Sequence, residues 1–236
     1  LYSDFSSKLW IEILKKLFGI LNQFKKYSKS VSIDDYNLIY KTKTEDRINE
    51  LVSSNKSFKH ILESDTLFVN GKKYRNWPTI KKEIESKIHD LYHEQDNCLI
   101  HGDLCFSNIF CNFKNKDFKL IDPRGKWGND MFGDLKYDVA KLRHSVVGGF
   151  DTITNGLYSI SLTEGNHISM KIFKPKNHQE VCMYLDELIQ KQWDLNEIKL
   201  IEGLLFISML PLHKDHFERQ LAFYSIGIQR LNEVLD

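Results

Sequence analysis

The sequence has no excess of charge of either sign, with 33 Lys and Arg residues against 32 Asp and Glu residues. This balance provides no long-range field that would draw nucleic acid or an anionic membrane to the surface. No apolar run reaches the roughly 20 residues that a helix needs to cross a bilayer. We therefore expect no nucleic-acid partner and no membrane insertion, and no pattern predicts an oligomeric state.

Cysteine is scarce, and Cys98, Cys105, Cys111 and Cys182 lack the paired spacing of zinc ribbons or thioredoxin-like redox sites. Three of the four lie in or beside short predicted strands, where a buried reduced thiol is the usual outcome. No signal-peptide pattern opens the sequence given. Because disulfides are rare in the cytosol, we expect a cytoplasmic protein with reduced thiols.

The glycine-rich nucleotide loops are missing as well. The sequence contains no Gly-x-Gly-x-x-Gly pattern, no Walker A sequence and no Val-Ala-Ile-Lys strand. A nucleotide site in this chain would therefore have to use a different set of residues.

Apolar residues recur at helical spacing over most of the chain, with charged residues on the opposite faces. The region 28–43 shows no such pattern and is expected to be irregular. Ser3 or Asp4 is expected to cap the first helix, and Asp134 the fourth. The segment 195–210 is apolar on nearly all sides, which predicts a helix buried in the core. The predicted helices span 4–27, 44–62, 79–93, 135–146, 179–192, 195–210 and 214–235.

Short apolar runs separated by turn residues predict a strand at 98–100 and three β-hairpins. In the middle hairpin, Asn108 begins the first strand and Asp122 ends its partner, so antiparallel pairing would bring these two side chains together. The whole pattern predicts an α+β protein that is mostly helical. The hairpins pair 67–69 with 72–74, 109–113 with 118–121, and 158–162 with 167–173.

One stretch concentrates the residues that could carry chemistry. It reads His101-Gly102-Asp103-x₄-Asn108 and is followed by Ile121-Asp122-Pro123-Arg124-Gly125. Phosphoryl transfer from a metal-bound nucleotide needs a carboxylate that orients the attacking hydroxyl and oxygen ligands that hold Mg²⁺. Each residue alone would be read as an ordinary turn residue. Their order and spacing around a predicted hairpin favour a catalytic loop.

The offsets of His101, Asp103 and Asn108 equal those of the protein-kinase catalytic loop, with Gly102 in place of the usual Arg. This glycine form resembles the phosphotransferase family of aminoglycoside phosphotransferases and choline/ethanolamine kinases. With the later pattern Gly-Asp-x₂-Tyr-Asp-x-Ala-Lys-Leu (133–142), the chain is most similar to members involved in capsule and surface-polysaccharide synthesis. The similarity covers about residues 99–145.

The resemblance implies that residues 1–236 form the catalytic, C-terminal lobe of a protein-kinase-like fold. Its parts would be a helical leading part (1–97), a central part with the catalytic loop, metal-binding hairpin and bracing helix (98–150), and a helical acceptor-side part (151–236). The family's smaller lobe covers the nucleotide, and the residues before His101 do not supply it. Because the sequence also begins without Met, we expect that lobe to lie upstream. Without it, the chain alone need not be active.

The same resemblance implies a role for each site residue, with ATP and Mg²⁺ as cofactors. Asp103 would accept or orient the proton of the acceptor hydroxyl, and His101 would brace the loop without titrating. Asn108 and Asp122 would ligate Mg²⁺. Asp138 would anchor the catalytic loop through its backbone amides.

Four further residues are weaker candidates for nucleotide or substrate binding. Arg124 and Lys126 follow the metal aspartate and could contact phosphate or an anionic acceptor. Arg124 could equally pair with a nearby carboxylate such as Asp130 or Asp134. His213 and Asp215 could line an acceptor pocket or be ordinary turn residues.

The leading hypothesis is an ATP- and Mg²⁺-dependent phosphotransferase that acts on a hydroxyl of a small molecule, such as a sugar or sugar-derived precursor of a surface polysaccharide. Choline/ethanolamine or aminoglycoside kinases are the alternatives within the family. For a choline-like cation, Trp127, Tyr137, Trp193 and Phe217 could form an aromatic cage, although core packing explains them equally well. From another class, a catalytically silent kinase-like binding or scaffold module is also possible.

Overall fold

The computed structural model describes residues 6–112, 114–115, 117–128, 130–163 and 165–236. It is an α+β structure, 58% helical with small sheets of short strands, so the predicted fold class is confirmed. The helices are α1 (Ser7–Phe24), α2 (Ile33–Tyr36), α3 (Lys43–Ser54), α4 (Lys56–Glu63), α5 (Trp77–His89), α6 (Leu135–Val146), α7 (Phe150–Thr154), α8 (His178–Gln190), α9 (Leu195–Ser208) and α10 (Phe217–Glu233). The strands are β1 (Thr66–Val69), β2 (Lys72–Arg75), β3 (Asn97–Leu99), β4 (Ile109–Asn112), β5 (Asp117–Leu120), β6 (Phe132–Asp134), β7 (Tyr158–Thr163) and β8 (His167–Ile172).

The chain divides into two compact units. The first unit contains the residues up to Asp35 together with His93–Asp151 and Lys174–Ile198. The second unit contains Tyr36–Tyr92, Thr152–Phe173 and Lys199–Asp236. The assignment of the whole chain to one catalytic lobe stays a prediction.

In the first unit, helix α1 packs against α8 through the apolar face that its sequence predicts. Ser6 caps α1, because its side-chain oxygen accepts a hydrogen bond from the Leu9 amide. The predicted caps, Ser3 and Asp4, lie outside the described residues. The buried residues of α1 are Trp10, Ile13, Leu14, Leu17, Phe18 and Leu21.

Helix α6 of the same unit is buried on almost every side, and its charged residues Lys136, Asp138 and Arg143 are buried too. Lys136 pairs with Glu197 at 3.0 Å. Arg143 makes two hydrogen bonds to the carboxylate of Asp186, at 2.8 and 3.0 Å. Buried charges are tolerated only when they are paired in this way, so these ion pairs fix the position of α6 in its unit.

The sequence pattern does not predict strand β6. It pairs antiparallel with β3, and Gly133 lies opposite Cys98. A Cβ atom on Gly133 would lie 2.6 Å from the indole of Trp127. The glycine is therefore needed to admit the Trp127 ring beside the strand, which the sequence pattern does not reveal.

The second unit contains a four-stranded sheet in the order β2-β1-β8-β7. Its two hairpins were predicted, and Asn70 and Gly71 turn the first one with φ values of 51° and 79°, as a type I′ turn requires. The parallel pairing of β1 with β8, which joins the hairpins, was not predicted.

Two predictions for the region 28–62 are wrong. The helix predicted over 44–62 is two helices, because Asn55 takes an extended conformation and its side chain accepts from the Phe58 amide to begin α4. The region 28–43, expected to be irregular, contains α2 and a π-helical turn at Asn37–Thr42. Tyr36 and Tyr40 are buried there, so tertiary packing and not local periodicity stabilises this segment.

Helix α9 confirms the predicted buried helix, since every residue from Leu200 to Ser208 is buried. It passes close to α10, where a Cβ on Gly203 would lie 3.3 Å from the Gly227 carbonyl oxygen and 2.7 Å from Leu231 Cδ2. A Cβ on Gly227 would lie 2.8 Å from Ile207 Cδ1. The two glycines allow the helices to approach this closely. Among the described residues, no helix is both long and apolar enough to cross a membrane.

We predict opposite effects for two glycine substitutions. Gly227→Val should lower the free energy of unfolding by about 1–3 kcal/mol, because the added methyl groups overpack the α9–α10 contact. Gly19→Ala should raise it by about 0.5–1 kcal/mol, because nothing lies within 4 Å of the new Cβ in α1. Urea denaturation followed by circular dichroism measures both changes. An unchanged or raised stability of Gly227→Val would contradict the close helix contact.

Candidate active site

The candidate catalytic loop connects strand β3 to strand β4 in the first unit. It ends in a 3₁₀ turn at Phe106–Asn108, and β4 then pairs with β5 so that Ile109 lies opposite Leu120. The Ile121 amide donates to the Asn108 carbonyl oxygen at 3.0 Å. The hairpin therefore places Asn108 and the segment that contains Asp122 at the same end; the meeting of their side chains stays a prediction.

Asp103 and Asn108 contact each other directly. The Asn108 Nδ2 donates to the Asp103 main-chain oxygen at 2.9 Å and to Asp103 Oδ2 at 3.2 Å. With its amino group directed at Asp103, the amide presents Oδ1 in the other direction. Asn108 thus braces the Asp103 carboxylate and directs its amide oxygen away from it.

His101 joins the loop to the segment on either side of Asp122. Its Nε2 lies 2.9 Å from the Ile121 carbonyl oxygen, and its own carbonyl oxygen accepts from the Arg124 amide at 2.8 Å. Its Nδ1 accepts from the Asp103 amide at 3.3 Å. These partners suit a neutral ring that carries its proton on Nε2. The contacts are those of a bracing residue that fixes Asp103 relative to Asp122.

Asp138 of α6 accepts hydrogen bonds from two consecutive loop amides. The His101 amide donates to Oδ2 at 2.6 Å and the Gly102 amide donates to Oδ1 at 2.8 Å. Burial raises the pKa of the Asp138 carboxyl to about 7, and the two amides act against this shift by favouring the charged form. The anchoring contacts predicted for Asp138 are therefore present.

Asp122 has a backbone conformation that is unfavourable for its residue type. Its φ is 51°, in the left-handed region, and Pro123 follows it. A non-glycine residue in this region costs on the order of 1 kcal/mol or more, and such strain is concentrated at functional sites. The Asp122 side chain is exposed at the end of the hairpin.

Gly102 cannot be replaced by a residue with a side chain. Its φ is +77°, and a Cβ atom would lie 2.8 Å from the Cβ of Arg124. The Arg124 amide is bonded to His101, so neither segment can move away independently. This explains why glycine stands between His101 and Asp103, where protein kinases have Arg.

Helix α6 holds the loop at two further points that the sequence reading missed. Lys141 Nζ lies 2.9 Å from Asp103 Oδ1, and Ser145 Oγ accepts from the Phe106 amide at 3.1 Å. Lys141 and Ser145 follow Asp138 by three and seven residues, the spacing of one helix face. Once Asp138 is assigned to the loop, this spacing could have predicted that both residues face it.

Helix α1 supports the same region from another direction. The Trp10 ring stacks on the Phe106 ring with centroids 5.5 Å apart. Lys16 Nζ donates to the Asn115 carbonyl oxygen at 3.1 Å, in the turn of the β4–β5 hairpin. The 3₁₀ turn and the hairpin are therefore both positioned from outside the loop.

The weaker site candidates are dispersed. Arg124 donates to the Tyr137 hydroxyl at 3.2 Å. The carboxylates suggested as alternative partners have other roles, because Asp130 pairs with Lys29 and Asp134 caps α6.

Lys126 is exposed in the segment that follows Asp122. His213 packs edge-on against Phe223, and burial lowers its pKa; Asp215 is exposed. His213 and Asp215 belong to the second unit. Asp103, Asn108 and Asp122 belong to the first.

The residues present fit a magnesium ion whose coordination is shared with a nucleotide. Within the described parts of the chain, no group of three His, Cys, Asp or Glu side chains is arranged to hold a metal ion. Mg²⁺ at phosphoryl-transfer sites is usually held by only one or two protein oxygen ligands, together with phosphate oxygens and water. The Asp122 carboxylate and the Asn108 Oδ1 provide such a pair.

Compared with protein-family models, with curated proteins and with solved structures, the chain gives no match. The interpretation of the site therefore depends on its own geometry.

We predict that Asp138 makes the stability of the protein depend on pH. Its pKa of about 7 lies above the value of about 3.9 expected for an unfolded Asp. The folded state therefore binds more protons between about pH 4 and pH 7, and the free energy of unfolding decreases as the pH rises through that range. Asp138→Asn, which cannot titrate, removes this contribution.

Chemical denaturation of wild type and Asp138→Asn across that pH range measures the effect, because all other titrating groups are common to both proteins. The stability advantage of wild type over the variant should shrink as pH rises, by at most about 1.4 kcal/mol per pH unit. An advantage that is constant with pH would show that the Asp138 pKa is not raised.

Proposed function

We propose that the protein is an ATP- and Mg²⁺-dependent phosphotransferase that phosphorylates a hydroxyl group of a small molecule. One observation carries this proposal: Asp103, Asn108 and the Asp122 segment are held together at one end of a hairpin by His101 and by the Asp138 carboxylate. The spacing of these residues is that of a kinase catalytic loop. Such a set matches the needs of phosphoryl transfer, in which positioning and charge compensation supply most of the rate.

Each residue has a distinct task in this proposal. Asp103, whose side chain is 41% exposed, receives the hydroxyl proton of the acceptor or orients it. Asn108 and Asp122 hold Mg²⁺, which when bound offsets the charge of the β- and γ-phosphates. His101 and Asp138 keep the two carboxylates at a fixed separation. Arg124 and Lys126 follow Asp122 in the same segment and are the candidate cations for a phosphate.

The acceptor class is proposed from the family resemblance alone, which is an association and not a physical argument. A sugar or sugar-derived precursor of a surface polysaccharide is our first choice, and an aminoglycoside would need the same chemistry. In this proposal the chain is the catalytic lobe of a kinase-like fold, works in the cytoplasm, and uses a nucleoside triphosphate and a small acceptor.

The aromatic residues that could have formed a cage for a choline-like cation have core contacts. Trp127 packs on Gly133, and the Trp193 indole donates to Asp96 at 2.9 Å. Phe217 packs edge-on against Phe58 in the second unit. These contacts favour a core role for the aromatic residues and weaken the case for choline or ethanolamine as the acceptor.

A silent binding or scaffold module is the competing proposal. A module without turnover has no physical need for a strained Asp122 beside a braced Asp103. Incubation of the full-length protein with γ-labelled ATP and Mg²⁺ separates the two, with sugars, nucleotide sugars and amino-alcohols as acceptors. Transfer to an acceptor supports the enzyme, and ATP binding without transfer or hydrolysis supports the module.

We predict that Asp103→Asn lowers the turnover number for phosphoryl transfer by roughly 10²- to 10⁴-fold, the usual contribution of a positioned base. The isosteric amide keeps the shape of the loop but cannot take a proton. Asp117→Asn is the matched control, since that carboxylate lies on the same hairpin and is 70% exposed. It should retain wild-type turnover. Equal rates for Asp103→Asn and wild type would rule out Asp103 as the base.

We predict opposite outcomes for two glycine substitutions on the hairpin. Asp122→Gly should raise the stability by about 1 kcal/mol because glycine accepts a positive φ, and it should weaken metal binding at least tenfold. Asp117→Gly should lower the stability by about 0.5–1 kcal/mol in the extended strand and leave metal binding unchanged. Urea denaturation and electron paramagnetic resonance of Mn²⁺, added with a non-hydrolysable ATP analogue, measure the two properties. Unchanged Mn²⁺ affinity in Asp122→Gly would remove Asp122 from the metal site.

A further inference from the structure

We infer that Lys141 is a positioning residue for Asp103, which it holds from helix α6 in the orientation that the reaction requires; this inference rests on the function proposed above. The Lys141 ammonium lies 2.9 Å from Asp103 Oδ1. No motif of the sequence assigned a role to this lysine.

The two oxygens of the Asp103 carboxylate are held by different partners. Oδ1 pairs with Lys141, and Oδ2 accepts from Asn108 Nδ2 at 3.2 Å. Together they fix both the direction and the plane of the carboxylate. Without Lys141, Oδ1 would keep only a long contact with the Cys105 thiol at 4.0 Å, and a side chain that is 41% exposed would rotate about its χ angles. With both partners in place, an acceptor hydroxyl meets the same lone pair of the carboxylate in every turnover. This is how positioning contributes to rate.

Lys141 is suited to this role because it is itself immobile and charged. Its side chain is only 13% exposed. Burial lowers the pKa of Lys141, and the neighbouring Tyr137 and Asp103 raise it by more, so its net pKa lies above the ordinary value. The charge-assisted hydrogen bond to Asp103 is therefore retained at neutral pH.

The position of Lys141 also couples the base to the rest of the loop. Asp138 and Ser145, on the same face of α6, bind the amides of His101, Gly102 and Phe106. The helix thus holds the loop before, at and after Asp103. We assign the Lys141 contact to the orientation of the Asp103 carboxylate, which is itself 41% exposed.

The test uses Lys141→Met in the full-length protein, which removes the ammonium and keeps most of the apolar stem. We expect the turnover number to fall about 10²-fold, with the KM for MgATP changed less than about threefold. Lys141→Arg should recover at least a tenth of wild-type turnover. Lys199→Met is the matched control, because Lys199 is 22% exposed and pairs with Glu233 at 3.4 Å; it should leave turnover unchanged.

The double variant with Asp103→Asn separates positioning from a direct role. If Lys141 acts through Asp103, Lys141→Met should have less than about a threefold effect in the Asp103→Asn background. A further 10²-fold loss there would show that Lys141 acts on the phosphates or on folding, and would overturn the inference. Wild-type turnover in Lys141→Met would overturn it as well, while leaving the proposed function intact.

A crystal structure of Lys141→Met provides a readout that does not depend on turnover. The Asp103 carboxylate should leave its rotamer and separate from Asn108 Nδ2. An unchanged Asp103 side chain would overturn the inference even if the rate falls. If Lys141→Met does not fold, the same measurements on Lys141→Gln replace it. A folded wild-type protein without any phosphoryl transfer would instead overturn the proposed function, and the inference with it.

Discussion

The consecutive backbone amides of His101 and Gly102 both donate to the buried carboxylate of Asp138. The geometry of the candidate site depends on this contact. A buried carboxylate without hydrogen-bond donors is destabilising, and so are loop amides without an acceptor. The contact supplies each group with the partner that it needs. This pair of hydrogen bonds lies directly before the point where Gly102 turns the chain with a positive φ. Once it has formed, His101 is fixed, and through its ring the Ile121 carbonyl oxygen is fixed as well.

The anchor is useful only if helix α6 itself does not move. Lys136 and Arg143 fix it through buried ion pairs with Glu197 and Asp186. Such pairs gain little net free energy over apolar packing, but breaking one leaves a buried charge without compensation. Displacement of α6 is therefore costly even though its apolar contacts are ordinary. We regard the buried charges of this helix as a means of fixing position, which a phosphoryl-transfer site needs more than it needs stability.

The sequence predicts the features that arise from neighbours along the chain. The Asn70–Gly71 turn, the β4–β5 hairpin and the Asp134 cap of α6 all follow from local patterns of turn and capping residues. The parallel pairing of β1 with β8 and the pairing of β6 with β3 do not, because each joins segments far apart in sequence. The same division applies to the site. The spacing of Asp103, Asn108 and Asp122 identifies them as candidates. The contact of Lys141 with Asp103 is recognised only when α6 is placed beside the loop.

The strain at Asp122 bears on whether the site is used. A left-handed aspartate before proline costs free energy, and glycine at that position would avoid the cost. The bonding of the neighbouring backbone does not require a carboxylate at position 122. His101 contacts the Ile121 carbonyl oxygen and the Arg124 amide, and any residue at 122 would leave these main-chain atoms in place. A metal-binding role, as proposed above, would account for the carboxylate at this position. A ligand oxygen held at an exposed hairpin end, beside a braced Asp103, is the arrangement expected of a site that binds a metal–nucleotide complex.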